Sequence, residues 1–115
     1  MGGFFGVSSK RDCLGDVFFG VDYHSLLGTK LGGMAAYDSE LGLQREIHNI
    51  SDNPFRSKFT HVFNDMKATS AIGCISDTDP QPLLVRSGFA TYAICMTGII
   101  NNATELIEKY LATGI

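Results

Sequence analysis

The sequence has no long apolar run, few cysteines and little excess of either charge, and each shortage excludes a class of protein. No stretch approaches the roughly 18 to 20 apolar residues that span a membrane. The 3 cysteines are Cys13, Cys74 and Cys95. Their number is small and odd, which argues against a disulfide scaffold and favours a reducing, cytoplasmic setting. A net charge of -3, without any run of lysine and arginine, argues against a nucleic-acid surface.

The first residues carry neither a secretory leader nor a lipid-attachment pattern. They lack a basic lead-in and reach the polar pair Ser8 and Ser9 too early for a signal peptide. Gly2 is followed by Gly6 at the position where the myristoylation pattern requires serine or threonine. We therefore expect a protein that is neither exported nor attached to a membrane.

Length and composition predict one packed domain. The chain has 115 residues, close to the commonest size of a single domain. Apolar residues make up 44% and charged residues 18% of it, which is typical of a globule rather than of a disordered tail.

The first third of the sequence predicts a strand followed by a helix. An apolar run at 4–8 indicates the strand, which we expect at the centre of a sheet because the following helix must pack on it. Asp12 can cap that helix and Gly28 can end it. Its apolar residues recur at helical spacing and are Leu14, Val17, Phe18 and Val21.

A hairpin and a second helix are predicted next. Residues 34–38 and 41–49 indicate two strands joined by a short link, with Leu41, Leu43, Arg45 and Ile47 on one face of the second. Asn53 as cap and Pro54 at the first helical position indicate a helix over 54–66. Its apolar stripe consists of Phe55, Phe59, Val62, Phe63 and Met66.

The remaining sequence completes an α+β pattern. Three more strands are predicted, at 70–76, 83–87 and 89–97. A helix over 102–113 follows, capped by Asn102 with Glu105 and ended by Gly114, so that Asn102→Ala would cost about 1 kcal/mol. About six strands in hairpin-like order and three helices, without βαβ alternation, indicate a single α+β domain at 1–115.

Motifs for phosphate and metal binding are missing. The sequence has no phosphate-binding glycine motif of either common type, and no closely spaced pair of cysteines or histidines. His24, His48 and His61 lie in three predicted elements, so we expect no metal site and no cofactor. We interpret His24 as a hydrogen-bonded packing residue and expect His61 to face solvent.

The cysteines are the only nucleophile candidates. Cys74 and Cys95 lie within apolar runs, where burial raises the pKa of a thiol and makes it inert. Cys13 begins a helix and follows Lys10 and Arg11, so the helix dipole and these charges can lower its pKa. A structural role and a reactive role for Cys13 both stay open, and no paired base accompanies it.

Five segments, taken in order, carry a resemblance to a known family. They are MGGFFGV at 1–7, LGTKLGGMA at 27–35, AIGCIS at 71–76, PQPLLVRS at 80–87 and CMTGIINNATEL at 95–106. Each is similar to a segment of class II glutamine amidotransferase domains: MCGVFGI, RGQESAGIA, AIGHVR, AQPFLVRY and AHNGNLVNADEL. The pattern is nearest to the amidophosphoribosyltransferases, which open purine synthesis. The resemblance implies a four-layer αββα sandwich of the N-terminal-nucleophile hydrolase type, truncated here to its N-terminal half.

The resemblance also implies which positions correspond to the family's catalytic groups. In the family, a cysteine exposed by removal of the initiator methionine attacks the glutamine amide, with its own α-amino group as base. An asparagine and a glycine stabilise the oxyanion, and an arginine binds the glutamine carboxylate. In this sequence the nucleophile position is Gly2, the oxyanion positions are Thr97 and Gly98, and the arginine position is Ser76.

Of these four positions only the glycine is kept, so no catalytic set of the family is intact. Cys74 and Met96 occupy two histidine positions of the family, and its Tyr-Ser-Thr segment is replaced by residues 77–79. Nucleophile, oxyanion side chain and carboxylate clamp are missing together. The resemblance therefore implies a domain that keeps the fold and has lost glutamine hydrolysis.

Three functions remain open at this point. The first is a degenerate domain that acts in binding or regulation, with a small molecule related to glutamine as ligand. The second is the N-terminal part of an active amidophosphoribosyltransferase-type enzyme that hydrolyses glutamine and transfers ammonia in purine synthesis. The third is a structural or interaction module. Because family domains run further than this chain, we expect a homo-oligomer, or the remainder of a longer chain, to cover its apolar faces.

Overall fold

The structure, a computed structural model, describes residues 2–25 and 30–114 and has an α+β fold. Within these residues the elements are β1 (Gly3–Ser8), α1 (Leu14–Ser25), β2 (Leu31–Asp38), β3 (Gly42–Asn49), α2 (Phe55–Phe59), α3 (Val62–Asp65), β4 (Ser70–Ser76), β5 (Leu83–Arg86), β6 (Thr91–Ile94) and α4 (Ala103–Ala112). Every strand pairing in this part of the chain is antiparallel, as predicted. Gly28, the predicted end of the first helix, lies outside the described residues. None of the helices described combines the length and the apolar character that crossing a membrane requires.

Four strands form the main sheet in the order β1-β4-β2-β3, and β5 pairs with β6 in a separate hairpin. The prediction that the first strand is central is wrong, because β1 lies at an edge and pairs with β4 alone. β4 and β2 are the two interior strands, and most residues of each are buried. Phe4 on β1 points away from the helices and is 57% exposed. The apolar pattern thus identified the strand but not its neighbours.

One face of the sheet is covered by α1, α2 and α3, and the core lies between them. The predicted stripe of α1 is buried there: Leu14, Val17, Phe18 and Val21. Complete burial of such a side chain contributes about 1.5 to 3 kcal/mol. Gly73 on β4 lets α1 approach closely, since a Cβ atom at this position would lie 2.3 Å from Cγ2 of Val21.

Asp12 caps α1 as predicted and also connects the helix to the sheet. Its Oδ1 accepts hydrogen bonds from the backbone N–H groups of Leu14 and Ala68, both at 3.1 Å. One carboxylate therefore satisfies a free donor at the helix start and a donor just before β4.

The helix predicted over 54–66 forms as two short helices, with Thr60 and His61 between them. The Thr60 hydroxyl donates to the carbonyl of Arg56 at 2.6 Å, and such back-bonding bends helices. The predicted Asn53 cap is also wrong: Pro54 is the N-cap residue of α2, and no side chain caps this helix.

The apolar stripe of this segment is nevertheless buried, with one exception. Phe55, Phe59 and Val62 are fully enclosed and Met66 is nearly so, whereas Phe63 is 46% exposed. The stripe therefore packs as predicted, although the backbone that carries it changes direction once.

The β5–β6 hairpin lies over the other face of the sheet, and its strands are shorter than the predicted 83–87 and 89–97. The segment that leads into it is close to β2, because a Cβ atom at Gly33 would lie 1.8 Å from the carbonyl oxygen of Gln81. Nη1 of Arg45 on β3 donates to the carbonyl of Pro82 at 3.2 Å. Between sheet and hairpin remains a cavity of about 490 Å³, lined by β1, β2, β3, β4 and β6.

The last helix, α4, forms where it was predicted but buries no residue. Asn102 is its N-cap residue, yet the carboxamide makes no capping hydrogen bond, so the predicted capping box is wrong. Gly114 ends the helix as predicted: its φ is +82°, and its N–H donates to the carbonyl of Leu111 at 3.1 Å.

Candidate functional site

The four positions selected from the sequence lie around one cleft. Gly2, Ser76, Thr97 and Gly98 all line a cavity of about 440 Å³. Gly2 directly precedes β1 and Ser76 ends β4, and the pairing of these strands places Gly3 opposite Ile75. The segment after β6 brings the other two positions to the same end of the sheet.

Gly2 and Thr97 are neighbours in this cleft. A Cβ atom at Gly2 would lie 3.7 Å from Oγ1 of Thr97 but only 2.6 Å from the carbonyl oxygen of Ile75. The second distance is shorter than real Cβ contacts, so a side chain at this position requires the backbone to shift. The cleft therefore has no nucleophile at this position and little room for one.

Ser76 is used within its own turn. Its Oγ accepts hydrogen bonds from the N–H groups of Thr78 at 3.3 Å and Asp79 at 3.2 Å, and the residue is buried. The hydroxyl closes the turn after β4 and has no charge to offer a carboxylate. Ser76 therefore stabilises the wall of the cleft.

The opposite wall follows β6 and is tied to the segment before β5. The N–H of Met96 donates to Oε1 of Gln81 at 2.7 Å, and both residues line the cleft. Gly98 has a φ of +139°, in a region that side chains other than glycine rarely adopt. The glycine kept at this position is thus required by the backbone itself.

The charged side chains described around the cleft are acidic. Asp77 and Asp79 line it, and no lysine, arginine or histidine is among the described residues around it. Oδ2 of Asp79 accepts a hydrogen bond from the Thr78 hydroxyl at 3.3 Å. The Asp79 carboxylate repels a free carboxylate and attracts an amino group, which favours a cationic group on a ligand beside it.

Cys13 and Cys74 are unsuited to nucleophilic chemistry. Burial, with further repulsion from the carboxylates of Asp12 and Asp16, raises the pKa of the Cys13 thiol. Its Sγ lies 3.8 Å from the carbonyl oxygen of Val7. The alternative of a reactive Cys13 is therefore wrong. A hydrogen bond with Cys95, followed by burial, raises the pKa of Cys74, as the sequence predicted.

Cys95 was predicted to be an inert, buried thiol, and the structure differs from this prediction. It is only partly buried, and the hydrogen bond with Cys74 lowers the pKa of Cys95. Cys95 lines a second cavity of about 490 Å³ that shares Asp79, Gln81 and Met96 with the first. The sequence did not predict the lowered pKa of Cys95, because the neighbour that causes it, Cys74, lies on the distant strand β4.

The histidines also differ from their predictions. His24 packs on β1, since a Cβ atom at Gly3 would lie 3.6 Å from its Nδ1, but the hydrogen bond predicted for its ring is not found among the described residues. His61 does not face solvent alone: its Nε2 lies 2.6 Å from Oε1 of Glu46 on β3, and His48 lies beside them. Two histidines expected to lie apart are thus brought together, on the helical side of the sheet.

Comparisons of the chain with protein-family models, with curated proteins and with solved structures find no match. The function therefore has to be argued from the cleft and its residues.

Proposed function

We propose that this chain is a degenerate glutamine amidotransferase-like domain that binds a small molecule in the cleft and has no glutaminase activity. One observation carries the proposal. Gly2, Ser76, Thr97 and Gly98, which were chosen only from the family resemblance, line the same cavity although they come from three separate parts of the chain.

The order of layers is compatible with the fold that the resemblance implies. Helices α1 to α3 cover one face of an antiparallel sheet, and the β5–β6 hairpin lies over the other face. Helix α4 follows the hairpin along the chain. This order is compatible with part of a four-layer αββα sandwich of the N-terminal-nucleophile hydrolase type.

The residues in the cleft argue against hydrolysis. Gly2 offers no nucleophile, and an activated water lacks the positional advantage of a tethered thiolate. Thr97 replaces the oxyanion amide by a shorter hydroxyl, and loss of one oxyanion donor typically lowers the rate about 100- to 1,000-fold. The Ser76 hydroxyl already accepts two backbone hydrogen bonds.

We expect the ligand to be a small molecule related to glutamine that is held by its amino group. In the family, the α-carboxylate of glutamine meets an arginine. Here Asp79 lines the cleft, and its charge favours an ammonium group over a carboxylate. An amidated derivative, which keeps the amino group and lacks the free carboxylate, fits this charge best.

A glutaminase assay tests the lost activity. The purified chain should release ammonia from L-glutamine at the background rate, and Gly2→Cys should not restore turnover. The new side chain would meet the carbonyl oxygen of Ile75, and the two other missing groups would still be absent. Ammonia release by the unmodified chain at ordinary enzymatic rates would refute the proposal and support the active-enzyme alternative. In that event Cys95→Ser, compared with Cys13→Ser, identifies the nucleophile.

Calorimetry with glutamine amide, L-glutamine and L-glutamate tests the ligand class. Affinity should fall in that order, and Asp79→Asn should weaken binding of glutamine amide. The matched control is Asp65→Asn, because Asp65 is an exposed residue on α3, and this substitution should leave binding unchanged. Tighter binding of L-glutamate than of glutamine amide would contradict the proposed charge preference.

The proposal includes a second copy of the chain as partner. The hairpin and α4 leave large apolar side chains exposed, among them Phe89, Ile99, Ile107 and Leu111. We expect a homodimer that buries more than about 1,000 Å² in total. Light scattering should give a mass well above 12.5 kDa. A monodisperse monomer would contradict this part of the proposal.

A further inference from the structure

Outside the cleft, one cluster of side chains has the composition of a metal site. Glu46 and His48 lie on β3, two residues apart, and therefore point to the same face of the strand. His61 is the N-cap residue of α3 and directly precedes it. Their candidate ligand atoms all lie within 4.8 Å of one another, and no other such group of three is found in residues 2–25 and 30–114.

We propose that Glu46, His48 and His61 bind one divalent transition-metal ion, with Zn²⁺ the best match. The ligands would be Nε2 of each histidine and a carboxylate oxygen of the glutamate. This site lies on the helical side of the sheet, away from the cleft, and is independent of the function proposed for the cleft.

The distances suit such an ion after a small adjustment of side chains. Oε1 of Glu46 lies 2.6 Å from Nε2 of His61 and 3.2 Å from Nε2 of His48. Ligand atoms at Zn–N and Zn–O distances of about 2.0 to 2.2 Å, placed tetrahedrally, are about 3.3 to 3.5 Å apart. Both observed separations are shorter than that value, so the carboxylate has to move away from the two rings when an ion enters. The His61 side chain is 42% exposed, so it has room to turn.

His48 provides the second observation. Its Nε2 is buried and makes no hydrogen bond within the described part of the chain. The 3.2 Å contact with Glu46 is close, but its direction is not that of a hydrogen bond. A buried polar atom without a partner is costly, whereas a metal ion at this point would satisfy it.

The surroundings hold the His48 ring in place. The ring of Phe59 contacts it edge to face, with centroids 4.9 Å apart and planes at 80°. His48 and His61 are themselves nearly perpendicular, at 84° with centroids 5.7 Å apart. Two imidazoles whose planes differ in this way can present their Nε2 atoms to one ion from different directions, as a tetrahedral site requires.

The ligand set selects the metal. Two imidazole nitrogens and one carboxylate suit Zn²⁺ and its first-row neighbours, whereas Mg²⁺ and Ca²⁺ prefer oxygen ligands alone. Three protein ligands leave a fourth tetrahedral position for water. The bound ion would connect the edge strand β3 to the start of α3, so its expected effect is on stability.

Metal titration of the untagged, chelator-treated full chain tests the proposal. Zn²⁺ should bind with a stoichiometry of one in calorimetry and raise the melting temperature, while Mg²⁺ should do neither. Co²⁺ serves as a spectroscopic probe and should show the d–d absorption of a site with nitrogen and oxygen ligands. His48→Gln and His61→Gln should each weaken Zn²⁺ binding at least about 10-fold.

His24→Gln is the matched control, because it removes the third histidine from α1 without touching the cluster. It should leave the affinity unchanged. Circular dichroism of each metal-free variant establishes that it is folded. Glu46→Gln replaces the carboxylate by an amide of the same shape and should independently weaken Zn²⁺ binding. Absence of Zn²⁺ binding, an equal loss in His24→Gln, or the intense charge-transfer band of a Co²⁺–thiolate bond would each overturn the proposal.

Discussion

Helices α1 and α4 both carry an apolar stripe, but only the stripe of α1 is covered. In α1 the residues Leu14, Val17, Phe18 and Val21 are at most 2% exposed. In α4 no residue is buried, and Ile107, Tyr110 and Leu111 are each more than half exposed. The same contrast separates the region 2–76, which contains the apolar core, from the region 83–114, which adds none of its residues to that core.

The contrast shows that an amphipathic pattern specifies a helix but not the surface that covers it. The stripe of α1 meets a sheet whose glycine at position 73 allows close approach, together with α2 and α3. The stripe of α4 meets no comparable surface among the described residues. The apolar side chains of α4 therefore stabilise the protein by burial only when another surface covers them.

The largest effect is expected from the same substitution made in the two regions. Phe18→Ala should lower the free energy of unfolding by about 3 to 5 kcal/mol, because the ring is 1% exposed and contacts three other phenylalanine rings. Phe89→Ala removes a ring that is fully exposed in the single protomer, and at a concentration at which the chain is monomeric it should change the free energy of unfolding by less than about 0.5 kcal/mol. Urea unfolding of both variants gives the comparison. Similar losses would mean that the hairpin region is packed as tightly as the core.

The predicted caps of α1 and α4 give a second, smaller contrast. Asp12→Ala should cost about 1 to 2 kcal/mol, since its Oδ1 accepts two backbone hydrogen bonds. Asn102→Ala should cost less than about 0.5 kcal/mol, because the carboxamide caps nothing. Thermal unfolding measures both. A loss near 1 kcal/mol for Asn102→Ala would restore the capping box that the sequence predicted.

The smallest contrast concerns the thiols and needs no substitution. Iodoacetamide should modify Cys95 first, because Cys95 is partly exposed and its hydrogen bond with Cys74 lowers its pKa. The thiolate is the reactive form, so the rate at Cys95 should begin to rise at a lower pH than for an ordinary thiol. Cys13 and Cys74 should react only when the region around them opens. Peptide mass spectrometry assigns the order, and earlier modification of Cys13 would contradict it.

The sequence predicted the elements of this fold well and their neighbours less well. All six strands, the α1 stripe and the Gly114 stop follow from local spacing and turn chemistry, and the structure confirms them. The edge position of β1 does not follow, because the order of strands depends on which pairings form between distant segments. The break between α2 and α3 at Thr60 was not predicted for a different reason, because a threonine hydroxyl hydrogen-bonds to the preceding turn of the helix only in one rotamer.

The candidate sites divide in the same way. The convergence of Gly2, Ser76 and Thr97 could be anticipated only through the family resemblance, since no local pattern connects them. The cluster with His48 and His61 could not be found by spacing, because 12 residues and a change of element separate them. The available signal was the pair Glu46 and His48, two residues apart on one predicted strand.

The edge position of β1 also makes this strand a site for growth of the sheet. β3, at the opposite edge, carries the charged residues Arg45 and Glu46, a common means of preventing further pairing. β1 carries no charge and no proline along Gly3–Ser8. Its outer row of backbone amide and carbonyl groups is therefore a template for an incoming strand. Two molecules that met through β1 would share one continuous sheet while each kept its own core intact.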